Sequence, residues 1–365
     1  MYFSLTPKSS REELYDREKE LEDLTNYVQT GRIVLITGIR RVGKTSLLKV
    51  FLEQMKQKRY HTVMVDCRVY DKINTLDRNG FEKKLISEFD RILKVNMGVL
   101  KVLSKVNVAG VELDFEKLRE KRNLLEYLET LDRIVRKKNS KLLVAFDEAQ
   151  ILRLYGRGGK ELLNLMAHAY DNLEGIVFIL TGSEVGVLHD FLNLQDADSP
   201  LFGRYVHEVF LERFTREQSL DLLIKGFEQI NIKPDADKIE KAVDVLDGIV
   251  GYLSMYGYAV YTSRDWQKAL EETQASAVKI VNKELNSLKM RSENYIHVLK
   301  AISLGAQTFT QIKDVILAKF GPVNDQTLTN NLNSLQKMGF VEATLKDGKK
   351  VYQLPDPMLH RALLS

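Results

Sequence analysis

Three features of the sequence predict an α/β fold, a parallel sheet with helices on both faces, followed by an all-α segment and a winged helix-turn-helix. Short apolar runs rich in Val and Ile alternate with helical patterns through the first half. A glycine-rich turn separates the first run from the helix after it. Near the C-terminus, three helical patterns lead into a hairpin signal. A length of 365 residues allows two or three domains. With 44% apolar and 28% charged residues, the composition is that of a globular protein and excludes a disordered, collagen-like or coiled-coil chain. No apolar run approaches the ~20 residues needed to span a bilayer. Met1 to Arg11 lacks the apolar core of a signal peptide. One cysteine, Cys67, excludes an intramolecular disulfide framework and a multi-cysteine metal site. A cytoplasmic location with no membrane contact is therefore expected.

The elements follow in order. Ile33–Ile36, Thr62–Asp66, Lys141–Asp147 and Gly175–Thr181 are runs of the length and composition of parallel strands buried on both faces. Gly80 to Leu93 has a helical pattern. Val106, Val108, Val111, Leu113 and Phe115 alternate around Ala109-Gly110, which predicts a hairpin inserted at about residues 74–122. From Phe214 the strand signals stop. Thr215 and Gln218 fit a capping box, and Leu220, Leu223, Ile224 and Phe227 mark one helical face behind it. Beyond about residue 290, Ile296, Leu299 and Ile302 form one helix face, Thr310 to Phe320 a second helix, and Leu328, Leu332 and Leu335 a third. Two strand patterns then flank the turn signal Asp347-Gly348. The expected units are residues 1–213, 214–290 and 291–365.

Gly38-Ile39-Arg40-Arg41-Val42-Gly43-Lys44-Thr45 fits the phosphate-binding pattern G-x-x-x-x-G-K-[ST] in full, in the required order of strand, loop and helix. The glycines let backbone N–H groups turn inward around an anion. The positive end of the following helix faces the phosphates. Lys44 supplies a point charge for the β- and γ-phosphates, and Thr45 a hydroxyl for Mg²⁺. Gly38, Arg40, Arg41, Val42, Gly43 and Ser46 complete the nucleotide contacts of this P-loop. Leu142–Phe146 ends in Asp147-Glu148, at the strand end where α/β sheets bind ligands. Asp147 is suited to hold Mg²⁺ through water, and Glu148 to polarise the attacking water. Thr181 or Ser183, at the end of the next run, is a candidate to touch the γ-phosphate or that water. Arg204, in a loop beyond it, is a candidate arginine finger.

Asp16-Arg17-Glu18-Lys19-Glu20-Leu21, the run Gly38 to Leu47, Phe146-Asp147-Glu148-Ala149-Gln150, Thr181-Gly182-Ser183-Glu184 and Pro200-Leu201-Phe202-Gly203-Arg204 occur in that order. Through these five motifs the chain resembles the archaeal P-loop ATPases of the STAND/AAA+ group, which are related to the origin-initiator ATPases. The resemblance covers nearly the whole chain, winged helix included. It implies ATP and ADP as ligands, Mg²⁺ as cofactor and hydrolysis that is slow in isolation. It also implies an adenine pocket near Arg17 and Glu18, a sensor role for Ser183 and a finger role for Arg204, the last through self-association. Two positions depart from the family pattern. Asp16 stands where the family usually has glycine. Val250 replaces the proline of the lid motif, here Asp247 to Leu253, that is thought to lie against the adenine.

The charge balance is nearly even, with 54 Lys and Arg against 50 Asp and Glu. The expected recognition helix, Asn324 to Met338, carries one base, Lys337, and one acid, Asp325, whereas phosphate binding draws on several cations. Lys346, Lys349 and Lys350 lie in the wing. Duplex DNA and a protein contact, either with a partner protein or with the ATPase unit of the same chain, are therefore competing partners for the winged helix. The functional readings are a nucleotide-switched ATPase, a DNA-associated initiator-like ATPase and a non-hydrolysing nucleotide-binding scaffold.

Overall fold

The computed structural model describes residues 1–72, 75–97, 105–108, 111–114 and 124–364. Its strands, in chain order, are β1 (Ile33–Thr37), β2 (His61–Asp66), β3 (Asp71–Lys72), β4 (Thr75–Leu76), β5 (Lys105–Val108), β6 (Val111–Asp114), β7 (Leu142–Asp147), β8 (Ile176–Gly182), β9 (His207–Phe210), β10 (Glu342–Lys346) and β11 (Lys349–Gln353). The central sheet runs β2-β7-β8-β1-β9, all parallel. Every residue of β1, β7 and β8 is buried, because helices cover both faces and leave no solvent side to alternate with. The register places Asp66 beside Asp147 and Thr37 beside Gly182, so the polar strand ends form one row.

The four expected strands are present, and a fifth, β9, extends the sheet at the β1 edge. Its sequence, His-Glu-Val-Phe, buries only Val209, so it carries no apolar run. β5 and β6 pair as the inserted hairpin, from Lys105↔Asp114 to Val108↔Val111. Its turn, Ala109-Gly110, and Phe115 lie outside the described residues. The helix expected at Gly80 to Leu93 spans Arg78–Met97.

Beyond the sheet the chain is helical until the wing. Thr215 and Gln218 form the expected capping box on helix Arg216–Gln229. A second box, Thr308 with Gln311, starts helix Phe309–Phe320, and the Asn324 side chain caps helix Asp325–Lys337. β10 and β11 pair around Asp347 and Gly348, both at positive φ (51° and 73°) as a tight hairpin turn requires. Helix Trp266–Arg291 runs without a break to the start of the winged helix, and one apolar core extends from Phe214 to Leu359 across both units. Phe3 belongs to that core and is fully buried. It fits because residues 226 and 257 are glycines: a Cβ at Gly226 or Gly257 would lie 2.2 or 2.3 Å from the Phe3 ring. No helix among the described residues is long and apolar enough to cross a membrane.

Candidate phosphate-binding and catalytic site

Gly38 and Gly43 take φ of 140° and 99°, which side-chain-bearing residues rarely adopt. At Gly38 space is also closed, since a Cβ there would lie 2.3 Å from the Leu211 carbonyl oxygen. Helix Lys44–Gln57 begins directly after the loop. Lys44 is 5% exposed, and its ammonium donates to the carbonyls of Gly38 (2.8 Å) and Ile39 (2.6 Å). Burial lowers its pKa to about 8, with Glu148 and Asp147 working against that fall.

The two acids at the end of β7 occupy different environments. Asp147 is 1% exposed and accepts from Thr45 Oγ1 (2.9 Å) and Thr181 Oγ1 (2.5 Å). Burial and the neighbouring Glu148 raise its pKa against those hydrogen bonds. Glu148 sits at a left-handed φ of 55°, which turns the chain sharply out of the strand. Its Oε2 accepts from Ser183 Oγ (2.7 Å), Ser183 N (3.2 Å) and Gln150 Nε2 (2.7 Å). Burial alone would raise the Glu148 pKa, but Lys44 and these donors outweigh it and hold the carboxyl below its usual value. Glu148 is thus ionised at neutral pH, and its Oε1 receives none of these bonds. Thr181 and Ser183, the two candidates at the end of β8, take different partners: Thr181 bonds Asp147 and the Glu148 backbone N–H (3.0 Å), while Ser183 bonds the Glu148 carboxylate.

A hydroxyl and a buried carboxylate 2.9 Å apart form a hard-oxygen donor set that suits Mg²⁺, which takes one or two protein ligands and completes its shell with water and phosphate. Thr45 and Asp147 would hold it, and it would neutralise charge on the β- and γ-phosphates.

Arg40 and Arg41 point away from the loop and into the C-terminal half. Arg40 donates to the Met338 carbonyl (2.7 Å) and Glu184 (3.0 Å) and lies 4.6 Å above the Phe340 ring. Arg41, at φ 67°, pairs with Glu284 (2.5 Å) and Asp356 (3.2 Å). The Gly251 N–H donates to the Arg41 carbonyl (3.0 Å). Val42 is buried in the core beneath the sheet. Ser46 Oγ accepts from Lys8 N (3.1 Å), which ties the N-terminal segment to the P-loop helix.

Val250 opens helix Val250–Ser263 at its first position, and its side chain lies next to Gly43. Proline is well accommodated at that position because the N–H there needs no helical partner. Valine thus keeps the helix start. Asp16 retains the turn that glycine would supply: it takes φ 58°, and its carboxylate accepts from Arg17 N (2.8 Å) and Gln218 Nε2 (2.5 Å).

The remaining expected residues make their contacts elsewhere than at Asp147 and Glu148. Arg17 is buried, bonded to Glu20 (2.6 Å) and the Glu212 carbonyl (2.8 Å), and stacked 4.5 Å over Phe214. Glu18 is exposed and paired with Arg11. Arg204 forks onto Asp171 (2.5 and 3.0 Å) and does not line the cleft described next.

A cleft of about 990 Å³ opens beside Glu148 and Ser183 and is lined by Arg40, Arg41, Arg68 and Arg153. Arg68 was not expected there. Its signal is in the sequence, since it stands just past the end of the Thr62–Asp66 strand, where the rule that picked out Asp147 also applies.

A family model described as an ATPase domain predominantly from Archaea matches residues 14–256. A second, the C-terminal winged helix-turn-helix domain of MCM protein, matches residues 289–354. The Walker-type ATPase Paby2304 of Pyrococcus abyssi is 35% identical, with 100% of both chains covered and a TM-score of 0.87. The Aeropyrum pernix ORC2 protein, solved as ADPNP–ADP complexes, shares the fold at 18% identity and a TM-score of 0.64, over 98% of this chain and 96% of that one. An uncharacterised ATP-binding protein of Methanocaldococcus jannaschii is 26% identical over 152 residues, 38% of this chain. The match spans only 39% of that relative's length. The chain belongs to this predominantly archaeal family of ATPase domains.

Proposed function

We propose that the protein is a Mg²⁺-dependent ATP hydrolase whose nucleotide state controls the docking of its winged helix. One observation carries this reading: the eight-residue loop shaped for phosphates also grips the C-terminal half, through Arg40 on Met338 and Arg41 on Glu284 and Asp356. A γ-phosphate presents charged oxygens that compete for Arg40 with a neutral carbonyl and with Glu184. Lys44 and the loop N–H groups bind the phosphates. Glu148 orients the attacking water and takes its proton, and Ser183 and Gln150 hold Glu148 in place. The resemblance to origin-initiator ATPases and the match to a family of ATPase domains support the same ligand.

The test is amide hydrogen exchange over residues 333–343, from the end of helix Asp325–Lys337 into β10, of Glu148→Gln protein with Mg·ATP, with ADP and with no nucleotide, alongside turnover of the parent. Faster exchange with ATP than with ADP is expected. Equal exchange in all three states would sink the switch, and absence of turnover in the parent would leave a nucleotide-binding scaffold.

Duplex DNA is the second reading, favoured by Lys346, Lys349 and Lys350, all exposed on the wing. Against recognition-helix insertion, Lys337 pairs with Asp190 (2.7 Å) and its backbone abuts Gly186. In this arrangement DNA would meet the wing first. Self-association through Arg204, flanked by exposed Phe202 and Tyr205, would place a guanidinium in a neighbour's site.

A further inference from the structure

The reaction proposed above needs positive charge at the terminal phosphate as the bond to it breaks. Most cations near the site have other work. Lys44 is bonded within the loop, Arg40 is the group through which the docking switch would act, and Arg41 is held by the lid and the winged helix. Arg204 is forked onto Asp171, away from the cleft. Arg291 reaches the Met338 sulfur (3.4 Å).

Arg68 differs from all of these. It lies two residues past the end of β2, the strand paired with β7, in the row of polar strand ends. Asp66 grips it with both carboxylate oxygens, at 2.9 Å to Nε and 2.8 Å to Nη2, and also caps its backbone N–H at 3.0 Å. That grip fixes a long side chain that is 55% exposed. Its Nη2 then stands 3.6 Å from Asp147 Oδ2, and among the described residues it is the one guanidinium ion-paired with Asp147. It lines the same cleft as Glu148 and Ser183. A guanidinium keeps its charge at any working pH and presents planar N–H donors matched to phosphate oxygens.

We propose that Arg68 is a catalytic arginine supplied within the same chain, its guanidinium aimed by Asp66 at the terminal phosphate of a bound nucleoside triphosphate. This rests on the ATPase reading. In the step it serves, the water oxygen bonds to the γ-phosphorus and the bridging oxygen leaves with its electron pair on ADP. The water proton passes to Glu148. Arg68 forms no covalent bond and transfers no proton; it stabilises charge on the phosphoryl oxygens in flight.

The experiment compares the parent with Arg68→Ala and Arg68→Lys by two readouts. The first is turnover at saturating Mg·ATP. The second is thermal stabilisation by ADP alone and by ADP with aluminium fluoride, a mimic of the transferring phosphoryl group. Arg68→Ala should lose about 10³-fold in turnover, the scale at which arginine fingers act. It should keep the stabilisation by ADP, which also shows that it is folded, and lose the increment from aluminium fluoride. Arg68→Lys should recover part of both, since it restores charge without the fork. Parent-like turnover and a parent-like increment in Arg68→Ala would overturn the assignment and leave Arg68 as a surface partner of Asp66. A parent that ADP does not stabilise would overturn the ATPase reading itself, together with this one.

Discussion

The P-loop and the wing both present cations, yet they hold them in opposite ways. Lys44 is buried, bonded to two carbonyls and set between two carboxylates, so its position is fixed before any ligand arrives. Lys346, Lys349 and Lys350 stand in solvent, and only Lys350 rests on a neighbour, 5.3 Å over Tyr352. A buried, oriented charge acts strongly on one anion at one point. Solvated charges act weakly and additively, and salt screens them. The P-loop is therefore built for a small ligand, and the wing, at most, for a polyanion.

The sharpest way to break this contrast is at Glu148. Replacing it with Gln should keep nucleotide binding and cut turnover by about 10²–10⁴, the range for a positioned general base. Parent-like turnover in a steady-state phosphate-release assay would remove Glu148 from the chemistry. Next is Lys44→Ala, which should weaken ADP binding by about 100-fold, since truncating one buried charge costs about 2–5 kcal/mol. Calorimetric titration reads this directly. The same measurement on the parent should show a pH dependence of definite sign. Lys44 in the free protein loses its proton as pH rises through about 8, whereas bound phosphates favour the charged form. Binding should therefore take up a proton near that pH, and affinity should fall above it.

A smaller effect tests the loop's second grip. Arg41 and Asp356 are each about one-seventh exposed, at 15% and 14% of their side chains. Asp356 also accepts from the Tyr252 hydroxyl (2.8 Å). Asp356→Asn should cost about 1–3 kcal/mol in thermal unfolding, the range for leaving a buried partner unsatisfied. An unchanged melting curve would make the clamp a surface contact. The smallest effect belongs to the wing. If it binds duplex, about three phosphate contacts give a log–log salt slope near −3, and Lys346, Lys349 and Lys350 changed together to Ala should flatten it. Fluorescence anisotropy at low salt with no binding by the parent would favour the docked, protein-contact role.

The parts written in local chemistry were legible from the chain alone. Gly38 and Gly43 are where backbone geometry demands glycine. Thr215 caps a helix as its side chain dictates, and Asp347-Gly348 turns a hairpin. Each of these depends on a few neighbouring residues, so one sequence suffices to see it. β9 escaped because an edge strand with a single buried side chain leaves no periodic trace. Arg68 stands past a strand end and so left a signal, but only the pairing of β2 with β7 sets it beside Asp147.

Local pattern decided the parallel α/β sheet, the phosphate loop, the acidic strand end and the three-helix winged plan, because hydrophobic period and turn geometry are properties of short segments. Contacts between distant segments decided the rest. Spacing left Thr181 and Ser183 as alternatives, and only the packing of β7 against β8 gave one to Asp147 and the other to Glu148. Nothing in the loop's spacing assigned Arg40 to Met338, 298 residues away, or sent Phe3 into the core between Gly226 and Gly257. Long side chains reach several partners at similar cost, so their choice is made by which elements the folded core brings within reach.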